Sequence, residues 1–128
     1  MEYTPEVVRR FDSPRRAGEL AGGSPGLVAG EAEDRTLNVW VRFQLQVIDG
    51  AIGAARFAVF GCPHTVAAAS RVAEWLEGRP ASSLATLDAR AICAELGVPV
   101  EKRGKLLRIE DAITACRQGL DKDVIEDE

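Results

Sequence analysis

LNVWVRFQLQVIDGAIGAARFAVFGCPHT, residues 37–65, changes its period twice. Leu37, Val39, Val41, Phe43, Leu45 and Val47 alternate with Asn38, Trp40, Arg42, Gln44 and Gln46, the period of a strand with one buried face. Asp49-Gly50 supplies a turn, and AIGAARFAVFG returns as a second antiparallel strand in which Ile52, Arg56 and Phe57 fall too irregularly to assign to faces. From Pro63 the spacing becomes helical: Val66, Ala69, Val72, Ala73 and Leu76 recur on one face, and Gly78 ends the run.

On the N-terminal side, Thr4 and Pro5 form a capped helix start, and TPEVVRRFDS places Val7, Val8 and Phe11 on one face until Ser13-Pro14 stops it. Residues 17–30, rich in Gly and small side chains, read as an irregular connection ending in a short edge strand. On the C-terminal side, SSLATLDARAICAELG reads as a helix broken near Asp88. KLLRIEDAITACRQGL reads as another, with Leu106, Ile109, Ile113 and Cys116 inward. Strands precede most helices, which is α+β order, and 128 residues suit one domain over 1–120. The last eight residues, DKDVIEDE, hold five acids and one base and read as a flexible acidic tail.

That tail carries the whole net charge of -4. A neutral body offers no clustered Lys and Arg for phosphate, so nucleic acid and anionic membrane are not expected partners. No stretch has the roughly 20 apolar residues of a membrane span, nor does the N-terminus have a secretory core, so the expected location is cytoplasmic. Cys62, Cys93 and Cys116 are odd in number and lack C-x-x-C spacing, which suggests free thiols in a reducing compartment.

If a strand ends near Gly61 and Pro63 is the first helical residue, Cys62 is the N-cap. Unpaired N–H groups and the positive end of the helix dipole favour a thiolate there, which is both a nucleophile and a metal ligand. His64 is a candidate second ligand or proton carrier, although Cys-x-His alone cannot close a tetrahedral site. Cys93 and Cys116, among apolar helical neighbours, read as core.

The order helix, Gly-rich loop, hairpin, Gly-Cys, helices resembles the IscU/NifU N-terminal family of iron–sulfur cluster assembly scaffolds, nearly to Leu120. YTPEVVRRFDSPRRAG looks like the family's opening, ARFAVFGC like its strand into Gly-Cys, and IEDAI like its last helix. The resemblance implies an α+β fold with a small antiparallel sheet of about three strands and helices packed on one face. It also implies a scaffold rather than an enzyme, with a cysteine desulfurase as partner and a [2Fe–2S] cluster or iron as cargo. GVPVEK echoes the segment read by an Hsp70-type chaperone. Of the family's three ligand cysteines only Cys62 is kept. AEDRTLNVWV holds no cysteine, and alignment on EDAI places Gly104 and Lys105 where the family has His-Cys.

One thiolate is a poor site for a cluster that normally takes four protein ligands. An ammonium at Lys105 coordinates nothing, but beside Cys62 it stabilises a thiolate or persulfide. Two repairs are open: Glu31, Glu33 or Asp34 joining Cys62 and His64 to bind one iron or zinc ion, or two chains each contributing Cys62. Three functions follow: an assembly accessory that takes sulfur or iron at Cys62, a docking module without metal that regulates a true scaffold, and an independent thiol enzyme with His64 as base.

Overall fold

Thr4 and Pro5 do start a helix, α1, over Pro5–Asp12 in the computed structural model, which describes residues 3–22, 25–100 and 103–126, with the backbone course alone for 121–126. The Thr4 hydroxyl accepts from the Val7 N–H at 3.3 Å and donates to the Leu96 carbonyl at 2.8 Å, so one residue caps α1 and ties it to a distant helix end. The apolar face expected of this helix divides: Val7 is buried, while Val8 and Phe11 are exposed. Arg10 occupies the inner side instead, pairing with Glu6 and Glu74 and donating to the Ser70 hydroxyl.

Three strands follow, β1 (Leu27–Asp34), β2 (Val39–Ile48) and β3 (Ala51–Phe60), in an antiparallel sheet of order β1-β2-β3. The short edge strand read at the end of the Gly-rich connection is an eight-residue strand lying mostly beyond it. Asp49 and Gly50 have φ of 54° and 76°, the pair of left-handed conformations that a two-residue hairpin turn of the right twist requires. A register shift between Gln46 and Val47 explains why β3 resisted assignment to faces. Ile52 is buried on one side of the slip, Ala55 and Phe57 on the other, so strict alternation is lost.

β3 leads into α2 (Pro63–Leu76); a short 3-10 helix (Ala81–Ala85), α3 (Ala89–Leu96) and α4 (Arg103–Glu126) complete the chain. The break read near Asp88 is real, because its carboxylate caps α3, accepting from the N–H groups of Arg90 and Ala91 at 3.0 and 3.3 Å. α4 runs to Glu126, so the backbone of most of the acidic segment continues the helix past Leu120, and residues 127–128 lie outside the described residues.

α2 and α4 cover one face of the sheet. Val39, Val41, Phe43 and Leu45 of β2 meet Val72 and Leu76 of α2 and Leu106, Ile109 and Ile113 of α4 in one core, each large side chain contributing about 1.5–3 kcal/mol by leaving water. Gly30 lets α4 approach: a Cβ there would lie 2.5 Å from the Cys116 nitrogen and closer still to the Ala112 carbonyl oxygen. The outer edge of β3 is covered. Phe57 exchanges backbone hydrogen bonds with Arg16 and Gly18, Ile52 does so with Gly78 and Arg79, and the Glu77 carboxylate accepts from the Ala55 N–H while pairing with Arg16 and Arg56.

Candidate functional site

Four segments meet at one end of the sheet: the last residues of β1, the turn into β2, the β3–α2 junction and the first turns of α4. Cys62 is the N-cap of α2 and Pro63 its first residue, as the Gly-Cys-Pro order predicts. Gly61 sits in a tight place, since a Cβ there would stand 3.2 Å from the Thr65 Cβ and 3.3 Å from Val39 Cγ2, and those side chains would have to give by a few tenths of an ångström. The strand can therefore hand over directly to the helix, and the sulfur sits half-buried at the rim.

Burial alone pushes the Cys62 thiol up. The Thr65 hydroxyl, the N–H groups of Thr65 and His64, and the charge of Lys105 outweigh that effect and leave the thiol below its ordinary value. Thr65 Oγ1 lies 3.5 Å from the sulfur. No side-chain hydrogen bond of ordinary geometry closes the cap, so the amides act through their dipoles. Thr65 was not singled out from sequence, although the third residue after an N-cap is where a helix turns back toward it.

The expected ligand set does not assemble. Glu33 and Asp34 are consecutive strand residues and point to opposite faces of the sheet. Glu33 is exposed and pairs with Arg35 at 3.4 Å. Asp34 faces the helices, where Oδ2 stands 3.8 Å from Arg108 Nη1 and Oδ1 accepts from the Leu37 N–H at 3.1 Å. Glu31 is exposed, opposite Arg42 on β2. His64 is 1% exposed, with the Tyr3 ring 4.7 Å away, so its ring is buried against Tyr3 rather than open to solvent. Among the described residues no three His, Cys, Asp or Glu side chains are grouped to hold a metal ion. A single thiol with no partner ligand grouped to it among the described residues, and with Asp34 paired to Arg108, does not fit a cluster that takes four soft ligands.

The other cysteines are core, as read. Cys93 is buried in α3, and burial pushes its thiol up. Cys116 is fully buried in α4, its thiol donating to the Phe43 carbonyl at 3.6 Å, and burial pushes it up to about 12. In the GVPVEK segment Val100 is 74% exposed, while Glu101 and Lys102 lie outside the described residues. No helix among the described residues is long and apolar enough to cross a membrane.

The chain is 30% identical over 117 residues to the iron-sulfur cluster assembly scaffold protein IscU of Azotobacter vinelandii, with 91% of each chain covered. It is 31% identical over 120 residues to iron-sulfur cluster assembly protein 3 of Arabidopsis thaliana, covering 89% of this chain and 67% of that one. Its fold matches the N-terminal part of a NifU-like protein from Brucella abortus with a TM-score of 0.73 at 17% identity, over 93% of this chain and 94% of that one. The family described as NifU-like N terminal domain matches residues 2–121, all but the first residue and the last seven, and the chain belongs to that family.

Proposed function

We propose that this chain is an accessory of iron–sulfur cluster assembly that accepts sulfur at Cys62 from a cysteine desulfurase and passes it on. The observation that carries this reading is a half-buried thiol at a helix N-terminus, held below its ordinary pKa with Lys105 among the causes, where the family likeness places a ligand cysteine. In the transfer step the Cys62 thiolate attacks the outer sulfur of the desulfurase's cysteine persulfide. A new S–S bond forms at Cys62, the old one breaks, and the desulfurase leaves as a thiolate, with no net oxidation. The α2 amides and Lys105 stabilise the anionic sulfur before and after transfer.

Sulfur, rather than iron or a [2Fe–2S] cluster, is the cargo these residues suit, because the groups that lower the Cys62 thiol are cationic or dipolar and, among the described residues, no metal-holding group of side chains includes it. The activity is that of a carrier, not of an enzyme. The thiol-enzyme alternative has less support, because its base would be His64, a ring 1% exposed and packed against Tyr3. The free thiols suit a cytoplasmic setting, and the exposed Val100 suits chaperone docking.

Incubation with a cysteine desulfurase and radiolabelled cysteine tests the proposal. Label should appear on Cys62 as a reducible persulfide, be absent from Cys62→Ser, and form without added iron. No label on the wild-type chain sinks the carrier reading. Desulfurase binding that is indifferent to Cys62→Ser, with no label, supports the docking module instead.

A further inference from the structure

Between α1 and β1 the chain crosses the outer edge of β3 with little apolar burial of its own. Ala17, Gly18 and Glu19 are exposed, and Pro14 and Leu20 are half-buried. Polar contacts hold this stretch. The Phe57 N–H donates to the Arg16 carbonyl at 3.1 Å, the Gly18 N–H to the Phe57 carbonyl at 3.0 Å, and the Leu20 N–H to Gln44 Oε1 at 2.7 Å. A segment with few buried apolar contacts opens at a smaller free-energy cost than the core beneath it.

The backbone there is also strained. Pro14 to Ala17 form a turn, the Ala17 N–H donating to the Pro14 carbonyl at 3.4 Å, and its third residue, Arg16, has φ of 74°. A turn with a left-handed third residue favours glycine there, because a Cβ crowds the following carbonyl. Arg16 is held in that conformation from outside the turn, its guanidinium pairing with Glu77 at the end of α2. The other oxygen of Glu77 accepts from the Ala55 N–H at 3.0 Å and from Arg56 Nη1 at 3.1 Å. Burial alone pushes the Glu77 carboxyl up, but these donors and Arg16 outweigh it and keep the group charged. One end of the stretch is fixed, since the fully buried Ser70 hydroxyl donates to the Arg15 carbonyl at 2.8 Å and accepts from Arg10.

We propose that residues 16–20 are a strap latched by Glu77, which opens about its fixed end at Arg15 and bares the edge of β3 while the core stays closed. The bared position is Phe57, whose N–H and carbonyl both lose their partners when the strap leaves, on the strand that leads to Cys62. An uncovered strand edge pairs with an extended backbone, so the strap governs whether β3 takes a further strand. Nothing in the sequence pairs Arg16 with Glu77, which lie some sixty positions apart.

Amide exchange of the full chain at pH 7, resolved by residue with NMR, tests the latch. In the wild type the Phe57 N–H should exchange about tenfold or more faster, against its intrinsic rate, than the Val41, Phe43 and Leu45 N–H groups of the central strand. Ile113→Val, which trims the core, should speed the β2 amides and leave Phe57 unchanged, because a local opening does not pass through the unfolded core. Glu77→Gln keeps an acceptor for the Ala55 N–H and removes the charge. It should speed exchange at Phe57 and Gly18 about fivefold, a change of roughly 1 kcal/mol in opening. Trypsin cleavage between Arg16 and Ala17 should rise by the same factor, since the protease needs the open form. Arg16→Gln should match Glu77→Gln at Phe57, and the double variant should be no faster than either single. Equal protection at Phe57 and the β2 amides, a Phe57 rate that follows Ile113→Val, or an unchanged rate in Glu77→Gln overturns the proposal. Neither Cys62 nor a desulfurase enters the measurement, so its outcome is independent of the sulfur-carrier function.

Discussion

Cys62 and Cys116 are the same residue in two electrostatic settings. Cys62 stands where β3 ends and α2 begins, half-buried, with amides and a hydroxyl near its sulfur and the charge of Lys105 acting on it. Cys116 stands where α4 crosses β1 and β2, with a backbone carbonyl as its hydrogen-bond partner. One thiol is pulled below its ordinary value and the other pushed far above it. Thiol chemistry in this fold is set by the ends of the elements rather than by their packed middles, because only ends present unpaired backbone dipoles together with access to a reactant.

The packed side of this comparison breaks most severely at Gly30. Gly30→Ala drives a methyl group into the α4 backbone beside Cys116, where neither neighbour is a flexible side chain. The cost should exceed about 4 kcal/mol, above the usual range for an overpacked site. Chemical denaturation measures it, and a loss below about 1 kcal/mol would mean that α4 does not press on the sheet as described.

Alkali sharpens the comparison next. A thiol whose folded pKa is raised from the ordinary value near 9 to about 12 stabilises the fold fully below the unfolded value, and that contribution is lost as pH rises through the interval. By about pH 11 Cys116 should have cost the native state on the order of 3 kcal/mol, so Cys116→Val should lose that much less stability than the wild type between about pH 9 and 11. Cys62 has the opposite sign. Its depressed pKa gives stability that is present above the unfolded value and lost as pH falls through the folded one. Parallel alkaline denaturation curves for wild type and Cys116→Val would contradict the burial assigned to Cys116.

On the reactive side, Thr65→Val keeps the shape of a fully buried residue and removes only the hydroxyl near the sulfur. Alkylation of Cys62 at pH 7 should slow about fivefold while Cys93 and Cys116 stay protected, the change corresponding to roughly 1 kcal/mol. An unchanged rate would remove Thr65 from the site. The smallest effect is expected at Cys62 itself. Serine is a better N-cap than cysteine, so Cys62→Ser should raise stability by about 0.5 kcal/mol while abolishing sulfur acceptance. A clear loss in thermal melting would instead mark the sulfur as a structural contact.

Much of this is legible along the chain. Asp49-Gly50 between alternating strands dictates the hairpin, Gly-Cys-Pro dictates the capped junction, and Asp88 dictates where α3 starts, each through interactions within a few residues. β1 was harder to see. Small and acidic residues such as Ala29, Gly30, Glu31 and Glu33 have weak strand preference, and β2 pairing with α4 pressing at Gly30 makes the strand. The bulge after Gln46 likewise hid the faces of β3.

The sequence by itself determined that one cysteine caps a helix beside a strand end, since capping is a matter of neighbouring backbone groups. Only the tertiary structure decided which charged residues accompany it. It turned Glu33 outward and Asp34 inward, buried His64 against Tyr3, and set the positive charge of Lys105, distant in sequence, to lower the Cys62 thiol. A strand's alternation fixes only that consecutive side chains part. Which side is dry, and what lies across it, depends on helices that arrive from distant sequence.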